Sequence, residues 1–282
     1  MADLPDRVRL VIFDLDGVVY RGTDAIPAAP ELVGWLHGLG VAVRFATNNS
    51  MVTRDAYVER LAAMGIPTDV EEIVTSASAT VEHLAQHAPA VRSVLAIGAE
   101  GMHRELEAAG LEVTRPADVR PRLPGGPLGR HFDAVVVGLD PSVDYDGLST
   151  AMAAVADGAR LIATNADSRY PTPAGFLPGA GTIVAALATA TGVTPEVIGK
   201  PEPAMFRSII ESCGVPASEC VVVGDNPDAD VAGAHRAGCA SILVLTGVAD
   251  ASSAAGLAGE RRPDAVATDP SEVRRLLEGR VS

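Results

Sequence analysis

Residues 11–22 read VIFDLDGVVYRG, an apolar run that leads straight into Asp14 and Asp16, one residue apart, and then Gly17. The stretch LVIFD (10–14) predicts a buried strand. Ending such a strand on two carboxylates is unfavourable, because their charges repel and desolvating either one unpaired costs several kcal/mol. One reading is a turn, since Asp and Gly are common turn residues. The other is a site that borrows a cation to hold both carboxylates. The stretch alone does not separate them.

Outward from it, short apolar runs alternate with segments of helical period, the pattern of a parallel sheet flanked by helices. Strands are predicted at 41–49, 93–98, 132–140, 160–164, 220–225 and 241–246. Helices are predicted at 30–40, 53–65, 100–110, 146–157, 182–192, 203–214, 230–237 and 271–279. Pro30 near the start and Gly40 past the end punctuate the first helix. RPADVRPRLPGGPLGR (115–130) reads as an exposed loop, and its arginines as solvated.

The 282 residues suffice for a full core, near the size at which one domain becomes two. A net charge of −14 argues against a nucleic-acid surface and against adsorption to anionic membranes. An anionic small substrate is compatible if a metal and local donors reverse the field in one pocket. Cys213, Cys220 and Cys239 lack metal-ligand spacing and read as reduced, buried apolar residues. Neither a signal peptide nor a membrane span is evident, so the expected location is cytoplasmic.

Four strand ends or loops carry polar groups instead of ordinary turn residues: Asp14-Leu-Asp16, Thr47-Asn48-Asn49, Lys200, and Asp225 with Asp228 and Asp230. In open α/β sheets ligands bind outside the carboxyl ends of the strands, so these groups converge. Carboxylates form a hard oxygen site suited to Mg2+. Lysine and threonine supply charge and donors for a phosphate. No histidine neighbours these motifs, which disfavours a His-assisted nucleophile, whereas a carboxylate can itself attack phosphorus. Three weaker patterns fall away. TGVTPEVIGKPEP has Pro201 where a P-loop needs Ser or Thr, and GDNPDADVAGA lacks the Gly and Glu of a calcium loop. PGAG (178–181) reads more simply as a tight turn than as an anion cradle.

DLDGVVY, ATNNS, GKPEP and GDNPDAD resemble, in order, the four motifs of the haloacid dehalogenase superfamily of phosphotransferases. DLDGVVYRG, TNNS and PGAGTIVAAL with GKPEPAMF resemble the branch that holds para-nitrophenyl, phosphoglycolate, pyridoxal and glycerol-3-phosphate phosphatases. The resemblance spans nearly the whole chain. It implies an α/β fold, a Rossmann-like parallel-sheet core over 1–80 and 193–282 with an inserted α/β cap over 81–192. It implies Asp14 as nucleophile and Mg2+ ligand, and Asp16 as general acid/base with its backbone carbonyl on the metal. Thr47, Asn48 and Lys200 would bind the phosphoryl group, Asp225 the metal, and Asp230 would orient the metal shell. Asn226 and Asp228 shape the turn or touch the metal. Asn165, Asp167 and Tyr170 are the expected specificity residues. The expected partner is a small phosphorylated metabolite, of glycerol 3-phosphate or phosphoglycolate type, and the expected assembly a homodimer through the cap. A phosphotransferase or phosphomutase, or a phosphate-binding regulator without turnover, is the alternative.

Overall fold

The computed structural model describes residues 4–119, 126–172 and 174–281. Its described chain forms two compact units. The first contains the residues up to Thr47, Arg54–Val74 and the chain from Lys200 onwards; the second contains Asn48–Thr53 and Thr75–Gly199. The inserted segment predicted over 81–192 is thus narrower than the second unit. Helix Ser76–His87 packs on helix Glu100–Ala108, and strand Glu196–Val197 pairs with strand Arg160–Ala163, which draws both flanks into that unit.

The first unit is built on a six-stranded sheet in the order 265–267, 240–244, 220–224, 10–13, 42–47, 73–75. Strand Leu10–Phe13 pairs in parallel with Ala42–Thr47 on one side and Cys220–Gly224 on the other. All four of its residues are buried. A parallel strand covered on both faces has no solvent side and so reads as a continuous apolar run. Successive connections leave this central strand in opposite directions, which makes its carboxyl end a topological switch point. Asp14 and Asp225 follow the two strands that border it.

The second unit carries an all-parallel five-stranded sheet in the order 196–197, 160–163, 134–137, 93–97, 112–114. Its core is aliphatic, with Leu95, Ile97, Val135, Val137 and Leu161 packed against Ile183, Val184 and Leu187 of helix Ala180–Thr191. The hairpin Arg169–Thr172/Gly175–Pro178 projects from this unit with Phe176 and Leu177 exposed.

One stapling device recurs in both sheets. Asp133 accepts from the Ser93 amide at 2.8 Å and the Ser93 hydroxyl at 3.0 Å, while its own amide donates back to that hydroxyl at 3.2 Å. Asp264 does the same to Ser241, at 2.8 Å and 3.1 Å, with a 3.3 Å return bond, and its carboxylate also meets His235 Nε2 at 3.0 Å. Each pair fastens an Asp-Ala-Val strand start to a serine in the first two residues of a neighbouring strand. Amide donors of Ser93 and Arg92 hold the Asp133 carboxyl below the usual range, so its contribution to stability is present above that range and is lost as pH falls through it. Asp264→Ala strips acceptors from the Ser241 amide and hydroxyl. It is expected to cost about 2–3 kcal/mol, read as a lower urea midpoint at unchanged m-value.

Helix Ser76–His87 and several short strands were not legible in the sequence. The helix is rich in Ser, Thr and Ala, and its apolar stripe is weak; only the Thr75 cap, whose hydroxyl accepts from the Ser78 amide, marks its start. The helix predicted at 230–237 divides into a π-helical turn, Pro227–Val231, and helix Ala232–Ala237. Cys220 and Cys239 are buried as expected, whereas Cys213 is only partly so. Of the 115–130 loop, 120–125 lie outside the described residues; Arg115 and Arg130 are engaged in exposed ion pairs with Glu100 and Glu112. No helix among the described residues is long and apolar enough to cross a membrane.

Candidate active site

Four of the predicted residues meet at the carboxyl end of the core sheet, within the first unit. The Asp14 amide still donates to Val223 O at 2.9 Å, so its side chain leaves the sheet at the level where strand 220–224 ends. Asp14 Oδ1 accepts from Lys200 Nζ at 2.5 Å, and Asp230 Oδ1 accepts from the same ammonium at 2.7 Å. The third lysine proton goes to Ala46 O at 3.1 Å, next to Thr47 at the end of its strand. Lys200 is 4% exposed, and all three of its donors are used. Carboxylate oxygens of Asp14, Asp225 and Asp230 all lie within 4.8 Å of one another.

The π-helical turn explains how two aspartates in one loop part company. Asn226 Oδ1 accepts from the amides of Asp228 and Ala229, at 3.0 Å and 3.3 Å, and so shapes the turn. Asp228 then points outward, 3.4 Å from Arg261. Asp230 turns inward, and its Oδ2 accepts from the amides of Asp225 and Asn226 at 3.2 Å and 3.1 Å. Extra-wide helical turns of this kind recur at functional sites because they re-aim side chains.

Burial decides the electrostatics. Desolvation pushes the Asp14 carboxyl up to about 7, against the pull of Lys200 and with the push of Asp230. Desolvation pushes Asp225 up to about 8, reinforced by Asp14 and Asp230. Lys200 is raised, because the two adjacent carboxylates outweigh its own burial. Asp16 is exposed; partial desolvation raises it, and Arg21 and Arg60 draw it back. Three carboxylates, two buried and one half-buried, against a single lysine leave a hard oxygen donor set that suits a small divalent ion such as Mg2+.

Two family models match the chain: haloacid dehalogenase-like hydrolase over residues 11–112 and a second, HAD-hydrolase-like model over 197–273, together more than half its length. The chain belongs to the haloacid dehalogenase-like hydrolases. It is a phosphatase of that superfamily. An acid sugar phosphatase of Staphylococcus aureus is 37% identical over 86% of this chain and 88% of its own length. The glycerol phosphate phosphatase of Mycobacterium tuberculosis, solved in complex with magnesium, superposes with a TM-score of 0.82 at 34% identity, covering 95% of this chain and 76% of that one. The 4-nitrophenylphosphatase of Thermotoga maritima gives a TM-score of 0.85 at 31% identity, covering 96% and 97%. These relatives belong to the branch that the sequence motifs resemble.

A loop that the sequence motifs of this phosphatase do not mark walls the acidic cluster. After strand Ala240–Val244, the Val248 amide donates to Asp225 Oδ2 at 2.6 Å, and the Thr246 hydroxyl donates to Gly17 O at 2.6 Å. A Cβ at Gly17, held at φ +84, or at Gly247 would overlap the Asp225 carboxylate. The signal was available, because strand 241–246 runs into Thr-Gly just as the other strands run into polar residues.

Asp16 and Thr47 also lie in the first unit, whereas Asn48, Asn165, Asp167 and Tyr170 lie in the second. Asn48 Nδ2 donates to both oxygens of Asp167 at 3.1 Å, and Asn165 Nδ2 donates to Asn48 O at 2.7 Å. Asn165 is buried, while Asp167 and Tyr170 are half-buried. Gly179 and Gly181 of the PGAG stretch accommodate the backbone of Ala166 and Asp167, with which any Cβ would collide. Those glycines serve chain packing.

Proposed function

We propose that this phosphatase hydrolyses small phosphate monoesters, of glycerol 3-phosphate or phosphoglycolate type, through an aspartyl-phosphate at Asp14. The observation that carries the reading is a half-buried carboxylate 2.5 Å from a buried lysine, with two further carboxylates within 4.8 Å. Asp14 attacks phosphorus, and the ester bond breaks with its electron pair going to the leaving oxygen. Asp16, free of the cluster and open to solvent, donates a proton to that oxygen. As a carboxylate it then takes a proton from the water that attacks phosphorus, which releases phosphate and restores Asp14. Lys200 offsets the charge of Asp14 and the phosphoryl group, and the Thr47 hydroxyl and the backbone at Asn48 donate to the phosphoryl oxygens. Asp14, the backbone carbonyl of Asp16, and Asp225 hold Mg2+, with Asp230 orienting that set. Bound there, the ion supplies Lewis-acid stabilisation of charge on the phosphoryl oxygens. Asn165, Asp167 and Tyr170 of the inserted unit are proposed to select the substrate. Its exposed Phe176 and Leu177 support a homodimer formed through that unit, which light scattering tests. The free cysteines Cys213, Cys220 and Cys239 of the first unit support a cytoplasmic location.

The test is phosphate release from p-nitrophenyl phosphate before and after chelation. Chelation is expected to abolish turnover and Mg2+ to restore it; full activity in the chelated protein overturns the metal assignment. Because the ion needs ionised carboxylates, and Asp14 and Asp225 stand at about 7 and about 8 without it, binding expels protons. Mg2+ affinity, read by calorimetry, is therefore expected to rise with pH between roughly 6 and 8.

A further inference from the structure

Beside Asp16 the chain keeps two cations that, like Arg44, Arg92 and Arg207 elsewhere, contact carbonyl or aromatic groups and, among the described residues, no carboxylate within 4.0 Å. Arg9, Arg160 and Arg236 lie on carboxylates. Arg21 and Arg60 have no ion-pair partner within 4.0 Å among the described residues. Arg21, in the short strand Tyr20–Arg21, donates to Thr246 O. Asp24 stands opposite it in the hairpin register, yet makes no ion pair with it. Thr246 is in turn tied to Gly17 O at 2.6 Å, one residue beyond Asp16.

Arg60 reaches the same place from helix Arg54–Ala63. Its guanidinium sits 5.5 Å from the Tyr20 ring centroid and 5.6 Å from that of Tyr57, and donates to Tyr20 Oη at 3.5 Å. Tyr20 is bridged to Asp16 through the backbone and accepts from the Gly17 amide at 2.8 Å. Two guanidinium groups from separate elements are thus anchored, by a carbonyl and by aromatic faces, near Asp16. Both residues are exposed. Anchoring by those contacts fixes each side chain and leaves further guanidinium donors for bidentate contact with an anionic oxygen group. Asp16 feels both charges without a short ion pair to either, so neither guanidinium is closed off by a carboxylate.

We propose that Arg21 and Arg60 form a recognition site for a second anionic oxygen group on the leaving alcohol, so that preferred substrates are phosphate monoesters carrying an additional negative charge. This rests on the reading above that Asp16 faces the leaving oxygen, since the charge of the two arginines acts on that residue and not on Asp14 or Asp225. It divides the two substrate types named there, favouring the phosphoglycolate type over uncharged glycerol phosphates.

The test uses the intact protein with Mg2+ and a matched pair of esters, 3-phosphoglycerate and glycerol 3-phosphate, which differ by a carboxylate in place of a hydroxymethyl group. A bisphosphorylated diol as a third ester distinguishes phosphate from carboxylate as the second anion. The ratio of kcat/KM for a charged ester to that for glycerol 3-phosphate is expected to exceed about tenfold, the scale of one charge-assisted contact. It should fall as salt is added. In Arg21→Gln and in Arg60→Gln the ratio is expected to drop towards one, mainly through KM. Arg60→Lys keeps the charge but loses the planar fork, and is expected to be intermediate. A ratio near one in the wild-type protein, or a ratio that neither glutamine variant changes, overturns the proposal. If neither glycerol 3-phosphate nor p-nitrophenyl phosphate is hydrolysed, it is the phosphatase reading that fails. Turnover without discrimination removes only the anion site.

Discussion

Asp14→Asn is expected to lower kcat for any phosphate monoester by at least ~10⁴-fold, because the cluster's other carboxylates, Asp225 and Asp230, are held by Lys200 and backbone amides and cannot take its place. The same substitution is expected to stabilise the metal-free protein at pH 8. With Asp14 raised to about 7, the fold favours the protonated form and binds more protons than the unfolded chain between the usual carboxylate range and that value. Metal-free stability therefore declines as pH rises through this window, and asparagine removes that part of the decline. Loss of activity with a gain in thermal midpoint is the signature of a site strained for function. Thermal melts at pH 6 and pH 8, with and without Mg2+, check it. A lower midpoint for Asp14→Asn at pH 8 without metal contradicts the electrostatic account, and retained turnover contradicts the catalytic one.

The second large effect is expected from Lys200→Met. The ammonium holds two carboxylates and the Ala46 carbonyl in a space that is 4% exposed. Removing one member of a buried ion network leaves the others uncompensated, at a cost of about 3–5 kcal/mol. The Coulomb pull of Lys200 opposes the rise of Asp14, so without the lysine that carboxyl moves higher still. The destabilisation should accordingly be greatest above pH 8 and shrink as the solution is acidified and the carboxyls protonate. Turnover is expected to fall by about 10²- to 10³-fold, the scale for loss of one preorganised charge. Equilibrium denaturation across pH separates this from a simple cavity effect, which has no such pH dependence.

Much of this could be read from the chain because the informative residues are local and chemically distinctive. The apolar run before Asp14 needs burial on both faces, and the polar residues at successive strand ends have no reason to recur unless those ends share a site. Their order along the chain was enough to place Asp14, Lys200, Asp225 and Asp230 together. The glycines of PGAG, by contrast, carry no side chain from which a partner could be inferred, and their use became visible only beside the Ala166–Asp167 backbone. Helix 76–87 escaped for a similar reason, since its small polar residues bury little and leave a faint periodicity.

The amino-acid sequence by itself determined the sheet-forming runs and the set of ionisable groups at their ends, because alternation of apolar and polar residues and the chemistry of a side chain are properties of the chain alone. Tertiary structure decided which of those groups face one another. Whether Asp228 or Asp230 turns inward depends on a π-helical turn, and whether Arg60 reaches Tyr20 depends on how its helix packs. Orientation and burial arise from long-range packing, and burial is what moves a carboxyl from its ordinary range to about 7.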